Sequence, residues 1–129
     1  MTDRLQESLI IQADAAAMGF DWPDVGGVLD KIEEELDEVR QAISGGDTAH
    51  ARVELGDVLF ATVNLARFLK ADPAQELARA NDRFVDRFGK LKSMLGNAGK
   101  KIESCSLDEL NAVWDDVKRQ ACQRVKKGG

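Results

Sequence analysis

The fold of this protein is decided by residues 31–57, which read KIEEELDEVRQAISGGDTAHARVELGD. Apolar and charged side chains recur in this stretch at three- and four-residue spacing, which is typical of amphipathic α-helices. A glycine pair, Gly45-Gly46, interrupts the pattern, and Asp47 after it is a residue type that favours a helix N-cap. The stretch therefore predicts two antiparallel helices joined by a short turn.

Four carboxylates stand on this predicted hairpin in two pairs. Glu35 pairs with Glu38 and Glu54 with Asp57, each at the i,i+3 spacing that makes two residues neighbours on one helix surface. Folding would bring four negative charges together, which is costly unless a cation lies among them, and oxygen ligands favour Mg²⁺ or Mn²⁺ over zinc. The same pattern also fits two amphipathic helices with acidic, solvated flanks, so geometry alone leaves both interpretations open.

The rest of the chain keeps the helical period and lacks the alternation of strands. We therefore predict an all-α bundle of about five helices in a single domain over residues 1–129. Helix boundaries are expected at residues that favour helix ends: a first helix over 2–18, a second starting at Pro23, a third from Asp47 to about Lys70, a fourth capped by Asp72 before Pro73, and a last helix behind the capping box Ser106–Glu109.

The apolar stripes of these helices are expected to face the core. The second helix has its stripe centred on Leu36, with Glu35 and Glu38 to one side. Three apolar residues outside the stripes, Phe60, Val63 and Phe68, are expected to lack a partner within one chain and to pack against a second copy. The predicted core residues are Leu29, Ile32, Leu36, Val39, Ile43, Leu55, Val58, Leu59, Thr62, Leu65, Ala66, Leu69, Leu77, Phe84, Phe88, Leu91, Leu95, Leu110, Val113, Trp114 and Val117.

Composition and charge exclude several classes of function and partner. The chain is 43% hydrophobic and 32% charged, which indicates a globular protein, and its net charge of −5 argues against binding a nucleic acid polymer. Neither a signal peptide nor a membrane-spanning run is visible, so no membrane partner is expected. Cys105 and Cys122 form no metal-binding pattern with the single His50, and we interpret them as free thiols in a reducing cytoplasm.

A family resemblance rests on several segments in the same order. Glu34-Glu35-Leu36-Asp37-Glu38, followed by Glu54-Leu55-Gly56-Asp57, is similar to the EExxE…ExxD signature of the MazG-like nucleoside triphosphate pyrophosphohydrolases. The resemblance covers residues from about 9 to 119, and the chain looks like the C-terminal, catalytic domain of two-domain members. Further similar segments are Gly19–Pro23, Leu59–Arg67, Ala80–Phe84 with Arg87-Phe88, and Trp114 with Lys118.

The resemblance implies hydrolysis of a nucleoside triphosphate between its α and β phosphates, giving a monophosphate and pyrophosphate. It places the metal ligands at Glu35, Glu38, Glu54 and Asp57, for Mg²⁺ or, as a substitute, Mn²⁺. Glu34, the remaining acid of the motif, is expected to accept a hydrogen bond or to help position water. These five acids are the predicted catalytic set.

Substrate binding is expected to involve residues on several helices. Arg83 and Arg87 match family positions and would hold the triphosphate, with Lys31 and Lys118 as weaker candidates. Trp114 would stack on the base or belong to the core, and Asn64 and Asn81 would bind base or ribose or tie helices together. The resemblance also implies a homodimer, or a dimer of dimers, in which two subunits complete a four-helix core and both contribute to the site.

Two alternatives remain at this stage. Within the same class, the enzyme would be specialised for modified or deoxy nucleotides. In a different class, the chain would be a helical dimerisation or binding module that retains the acidic motif without turnover. One departure from many relatives is the loss of extra acids before the second motif, where this chain has Arg52 and Val53. That departure puts a second metal position in doubt.

Overall fold

A computed structural model of the protein describes residues 3–128, with their side chains through Cys122. Within that range the chain is helical and contains no strand, which confirms the all-α prediction. None of its helices combines the length and the apolar character that crossing a bilayer requires. The elements are α1 (Arg4–Ala17), α2 (Val25–Ser44), α3 (Thr48–Phe68), α4 (Pro73–Asn97), a short 3₁₀-helix (Ile102–Ser104) and α5 (Leu107–Gly128).

Side-chain caps fix most of the helix starts. Asp47 Oδ1 accepts a hydrogen bond from His50 N at 3.0 Å, and Asp72 Oδ1 accepts one from Ala74 N at 3.0 Å, so both predicted N-caps are confirmed. The second helix starts later than predicted, at Val25. Its N-cap is Asp24, whose side chain accepts from Gly27 N, and Pro23 therefore stays in the preceding turn.

The chain divides into two compact units, Met1–Leu77 and Ala78–Gly129. In the first unit α2 and α3 form an antiparallel pair, and α1 packs on α3. The turn between α2 and α3 uses Gly46 at a φ of +74°, a left-handed conformation that glycine adopts without strain. The hairpin predicted from residues 31–57 is thus confirmed, while the assignment of the whole chain to one domain stays a prediction.

The interior of the hairpin is not the predicted leucine stripe. The buried residues are Val28, Glu35 and Ala42 on α2 and, facing them, Ala51, Glu54 and Ala61 on α3. The predicted core centre, Leu36, is 50% exposed. The prediction was wrong because the small alanines let the two helices approach along a different stripe, one that also carries the two glutamates.

The displaced apolar residues form a surface that we call the leucine face: Leu29, Leu36, Ile43, Leu55 and Leu59, all of them exposed. On α2 each of these residues directly follows a buried residue in the sequence, as Leu55 does on α3. The leucine face is therefore rotated by about 100° around each helix from the buried stripe. Because α2 and α3 are antiparallel, equal rotations on the two helices point to the same side of the hairpin. Glu38 and Asp57 lie three positions after Glu35 and Glu54, so their side chains are rotated from the buried stripe in the opposite direction to the leucine face.

Other predicted core positions also differ from expectation. Thr62, Leu69, Leu77 and Phe84 are exposed. Val63, predicted to lack a partner, is only 4% exposed, because α3 turns it inward beside Asn64. Phe68 is half-buried and Phe60 is partly exposed.

The second unit has its own small core of Leu91, Leu95 and Val117, as predicted for α4 and α5. Trp114 packs against this core, and its ring centroid lies 5.4 Å from that of Phe84. Ahead of α5, Ser106 Oγ accepts a hydrogen bond from Glu109 N at 3.1 Å, while Glu109 Oε1 accepts one from Ser106 N at 3.4 Å. The predicted capping box is therefore confirmed.

Candidate functional site

The acidic residues of α2 and α3 come together inside the hairpin. Glu35 is 6% exposed and Glu54 is 8% exposed. Glu35, Glu54 and Asp57 each place one carboxylate oxygen within 4.8 Å of the others, and Glu34, Glu35 and Glu38 form a second such group. Glu35 belongs to both groups, so all five predicted acids lie in one continuous carboxylate cluster that could hold a metal ion.

Two oxygens in this cluster lack a partner. Among the described side chains, only Glu35 Oε2 and Glu54 Oε2 are buried without a hydrogen bond. A buried carboxylate oxygen without a donor is costly, and folded proteins rarely leave one unpaired. The donor set consists of oxygens alone, which suits a hard divalent cation. The residues therefore fit the metal that the acidic motif implies.

The two buried glutamates differ in proton affinity because their neighbours differ. The adjacent carboxyl group of Glu38, burial and the nearby Glu35 raise the pKa of Glu54 to about 7. The Lys31 ammonium lowers the pKa of Glu35, against the opposing effect of burial. One carboxyl of the pair is thus poised to carry a proton near neutral pH, while the other is held as a carboxylate.

Basic side chains border the cluster on each helix. Lys31 Nζ lies 3.0 Å from Glu35 Oε1 and 3.5 Å from Glu34 Oε2, and Glu35 raises the pKa of this lysine. On α3, His50 Nε2 lies 3.2 Å from Glu54 Oε1. Each base stands one helical turn before its glutamate. In both glutamates the basic side chain contacts Oε1, so Oε2 is the oxygen that can still bind another group.

A cavity of about 440 Å³ opens beside the carboxylates, in the range of small-molecule sites. Its lining includes the charged side chains of Glu35, Asp57 and Lys31 and three aromatic side chains, those of Phe20, Trp22 and Phe60. The remaining lining residues are Ile11, Gln12, Ala15, Asp21, Val28, Ala61, Asn64 and Arg67. The cavity wall therefore combines charged and aromatic side chains.

Two nearly buried amides in the cavity wall have fixed orientations. Gln12 Nε2 donates to Phe60 O at 3.1 Å and to Ser8 Oγ at 3.2 Å, while Asn64 Oδ1 accepts from Arg67 Nε at 2.9 Å. A carbonyl oxygen can only accept and a guanidinium nitrogen can only donate, so the partners dictate which end of each amide points where. Gln12 also joins α1 to α3 through this contact.

The predicted site residues fall into two sets. Glu34, Glu35, Glu38, Glu54, Asp57, Lys31 and Asn64 all lie at the cluster or the cavity of the first unit. Asn81, Arg83, Arg87, Trp114 and Lys118 belong to the second unit, where Arg83 is exposed and Arg87 is half-buried. Substrate contacts from this second set stay a prediction.

The aromatic and amide lining of the cavity was not predicted from the sequence. Gln12, Phe20, Trp22, Phe60 and Arg67 received no role in binding, although Gly19–Pro23 was recognised as a family segment. A weak signal was present, because two aromatic residues flank Asp21 in a turn. Only the folded chain places α1 and that turn against α3.

The fold and the site define an all-α protein with a carboxylate cluster that could bind a metal, beside a ligand-sized cavity. Residues 10–92 match the family described as MazG nucleotide pyrophosphohydrolase domain. The chain belongs to this family, which confirms the resemblance.

Named relatives agree with the family assignment. The chain is 41% identical over 108 residues, 84% of its length, to a nucleoside triphosphate pyrophosphohydrolase/pyrophosphatase MazG of Thermotoga maritima. It is 42% identical over 114 residues, 85% of its length, to a nucleoside triphosphate pyrophosphohydrolase of Escherichia coli. An uncharacterized protein of Bacillus subtilis is 36% identical over 67 residues, covering 52% of this chain and 14% of that protein. The chain spans only 41% and 43% of the first two relatives.

Proposed function

We propose that this chain hydrolyses nucleoside triphosphates between the α and β phosphates, releasing a nucleoside monophosphate and pyrophosphate. The observation that carries the proposal is the pair of unpartnered, buried oxygens, Glu35 Oε2 and Glu54 Oε2, beside a ligand-sized cavity. Relatives over most of this chain's length are named for the same activity. Those relatives are more than twice as long as the segment that this chain matches.

Mg²⁺ is the cation we assign to the cluster, with Mn²⁺ as a substitute and with Glu35, Glu38, Glu54 and Asp57 as ligands. When bound, it supplies charge neutralisation and Lewis acidity toward a triphosphate. Lys31 stands at the cavity next to Glu35, where its ammonium suits a phosphate oxygen. Glu34 is exposed on the same turn and is the acid we propose to orient the attacking water.

We place the nucleoside against the aromatic side chains of the cavity. Phe20, Trp22 and Phe60 offer flat apolar surfaces for a base, and the amides of Gln12 and Asn64 offer polar contacts. The carboxylates line the same cavity, so a nucleotide would extend its phosphates toward Glu35 and Asp57. Arg83, Arg87, Asn81, Trp114 and Lys118 remain proposed contacts from the family resemblance.

A homodimer is part of the proposal. The leucine face has Leu29, Leu36 and Ile43 at seven-residue intervals on α2, the spacing of a helix–helix seam. A second copy of the hairpin would bury this face and complete a four-helix core. Whether a second chain also contributes to the site, and whether dimers pair further, stay predictions. Free Cys105 and a nucleotide substrate support a cytoplasmic location.

The test is a panel of canonical and damaged NTPs and dNTPs with Mg²⁺, in which monophosphate and pyrophosphate are both quantified. We expect equimolar products from at least one nucleotide, and we expect Glu35→Gln to reduce kcat by at least a hundredfold. Glu33→Gln is the matched control, since Glu33 is an exposed acid of the same helix outside the carboxylate cluster. Preferential turnover of damaged nucleotides would identify the specialised form.

The second candidate is the non-catalytic dimerisation module, which is favoured by Arg52 and Val53 in place of the extra acids of many relatives; the exposed leucine face fits both candidates. It predicts that Mg²⁺ raises the melting temperature while no nucleotide in the panel yields pyrophosphate. The two candidates therefore differ in product formation and agree in metal binding. Inorganic phosphate as the product instead of pyrophosphate would contradict both.

A further inference from the structure

We propose that Arg67 is a positioning residue for nucleotide selection: it fixes the direction in which Asn64 presents its amide to the cavity and holds Trp22 in the cavity wall through Asp21. The proposal rests on the proposed function. It assigns to Arg67 an indirect role, exerted through two neighbours that line the cavity. The side chain of Arg67 is 20% exposed and is packed over the Phe68 ring at 4.8 Å, so its own place is restricted.

The first effect of Arg67 is on Asn64. Because Arg67 Nε can only donate, it claims the carbonyl oxygen of the Asn64 side chain and leaves the NH₂ group free. Asn64 is 9% exposed, and in the described residues no hydrogen bond uses its Nδ2 atom. A ligand atom at this point must therefore accept a hydrogen bond. Without Arg67 the amide could flip and offer either end.

Gln12 supplies the opposite polarity. Its two amide hydrogens are used by Phe60 O and Ser8 Oγ, so its Oε1 is the end that remains and can only accept. The cavity thus presents one fixed donor and one fixed acceptor in an aromatic setting. A base whose polar edge has the reverse order would leave nearly buried polar groups unpaired, which is how such sites reject a wrong ligand.

The second effect of Arg67 is on the turn before α2. Its Nη1 donates to Asp21 Oδ2 at 3.2 Å and its Nη2 donates to Asp21 Oδ1, a bidentate pair that also lowers the pKa of Asp21. The next residue, Trp22, lies so close to Gly27 that a Cβ there would be 2.8 Å from Trp22 Cε3. Trp22 is therefore held between the ion pair and the first turn of α2.

The experiment compares selectivity and the environment of Trp22 in the full chain. Arg67→Met keeps an unbranched apolar stem about as long as that of arginine up to Nε, and it removes the guanidinium with its hydrogen bonds and its contact with the Phe68 ring. We expect the ratio of kcat/KM between the best and the worst nucleotide of the panel to fall about tenfold, mainly through a higher KM for the best one. In protein labelled with 5-fluorotryptophan, the ¹⁹F resonance of Trp22, assigned with Trp22→Phe, should shift or broaden.

Two further variants separate the two effects. Asn64→Asp retains the acceptor for Arg67 and loses the NH₂ donor, so it should lower the selectivity ratio as much as Arg67→Met while leaving the Trp22 resonance in place. Asp21→Asn should move the resonance with a smaller loss of selectivity. Arg4→Met is the control, because it removes another arginine–carboxylate pair, Arg4–Glu7, on exposed α1 surface.

The outcomes are distinguishable. If the wild-type protein hydrolyses nucleotides and both Arg67→Met and Asn64→Asp keep its selectivity ratio within twofold, the role of Arg67 in selection is refuted and the proposed function stands. If Arg67→Met does not fold, Asn64→Asp and Asp21→Asn decide the matter. If the wild-type protein hydrolyses none of the panel, the proposed function fails and this inference fails with it.

Discussion

At the scale of single residues, Glu35 and Glu54 illustrate how neighbours set the chemistry of a buried acid. Both are carboxylates at equivalent places on facing helices, and both are nearly buried. The pKa of Glu35 is lowered by Lys31, whereas that of Glu54 is raised to about 7 chiefly by Glu38 and burial. The salt bridge with Lys31 thus favours the charged form of Glu35, while Glu38 and burial favour the protonated form of Glu54.

This difference predicts how stability depends on pH in EDTA. The unfolded state has a pKa near 4.5 for Glu54 and the folded state has one of about 7, so the folded state binds more protons between these values. Stability contributed by Glu54 is therefore lost as pH rises from about 4.5 to about 7. The lowered pKa of Glu35 acts in the opposite sense, stabilising the fold above its unfolded value and losing that effect as pH falls.

The measurement is the melting temperature between pH 5 and pH 8 in EDTA and in Mg²⁺. We expect a decline with pH in EDTA that Glu54→Gln flattens and Glu33→Gln leaves in place. Bound metal requires deprotonated ligands, so Mg²⁺ should reverse the decline. At a hundred times its dissociation constant it would add about 2.7 kcal/mol. A flat profile in EDTA, with no effect of Mg²⁺, would contradict the metal assignment.

At the scale of elements, the helix caps are the most local feature of the fold. The capping box before α5 satisfies backbone donors at its first turn through Ser106 and Glu109. Ser106→Ala should therefore reduce the free energy of unfolding by about 1 kcal/mol, as measured by urea denaturation. Ser93→Ala, at an exposed position inside α4, should leave it unchanged or raise it slightly, because alanine favours a helix interior more than serine does. Equal effects of the two variants would argue against the capping box.

The features that were predicted correctly from the sequence are those that depend on residues close together in the chain. Asp47, Asp72 and Ser106 were identified as caps because a cap depends on residues within one turn of it. The carboxylate cluster was also within reach, since i,i+3 spacing and one tight turn bring its members together. The orientation of Leu36 was missed, because which stripe of a helix is buried depends on the partner surface. The pairing of Arg67 with Asp21 was missed because it joins residues that are far apart in the sequence.

At the scale of the whole molecule, the leucine face is an exposed apolar surface that runs along both helices of the hairpin. Five large apolar side chains are exposed along α2 and α3, and a cluster of this kind is typical of an interface. We expect a dimer in sedimentation velocity at micromolar concentration. Leu36→Asp should shift it to monomer, because a buried charge would meet its symmetry mate across a two-fold interface.

The control for this prediction is Leu107→Asp. Leu107 is also exposed, but it begins α5, where an acidic residue is compatible with a helix N-terminus, and it lies outside the leucine face. This variant should sediment like the wild-type protein. A monomeric wild-type protein with full activity, or a Leu36→Asp variant that stays dimeric, would rule out this interface.

The arrangement of α2 has one further consequence. Glu35 and Leu36 are consecutive residues, so any rotation of the helix about its axis moves the acidic and the leucine sides together. A cation that fixes the direction of Glu35 around the helix axis also fixes that of Leu36. A second subunit that packs on Leu36 restricts Glu35 in the same way. By thermodynamic reciprocity, binding of the cation then changes the dimer association constant by the same factor by which association changes the affinity for the cation. A hairpin that bound a cation at Glu35 and dimerised through Leu36 would therefore couple the two equilibria.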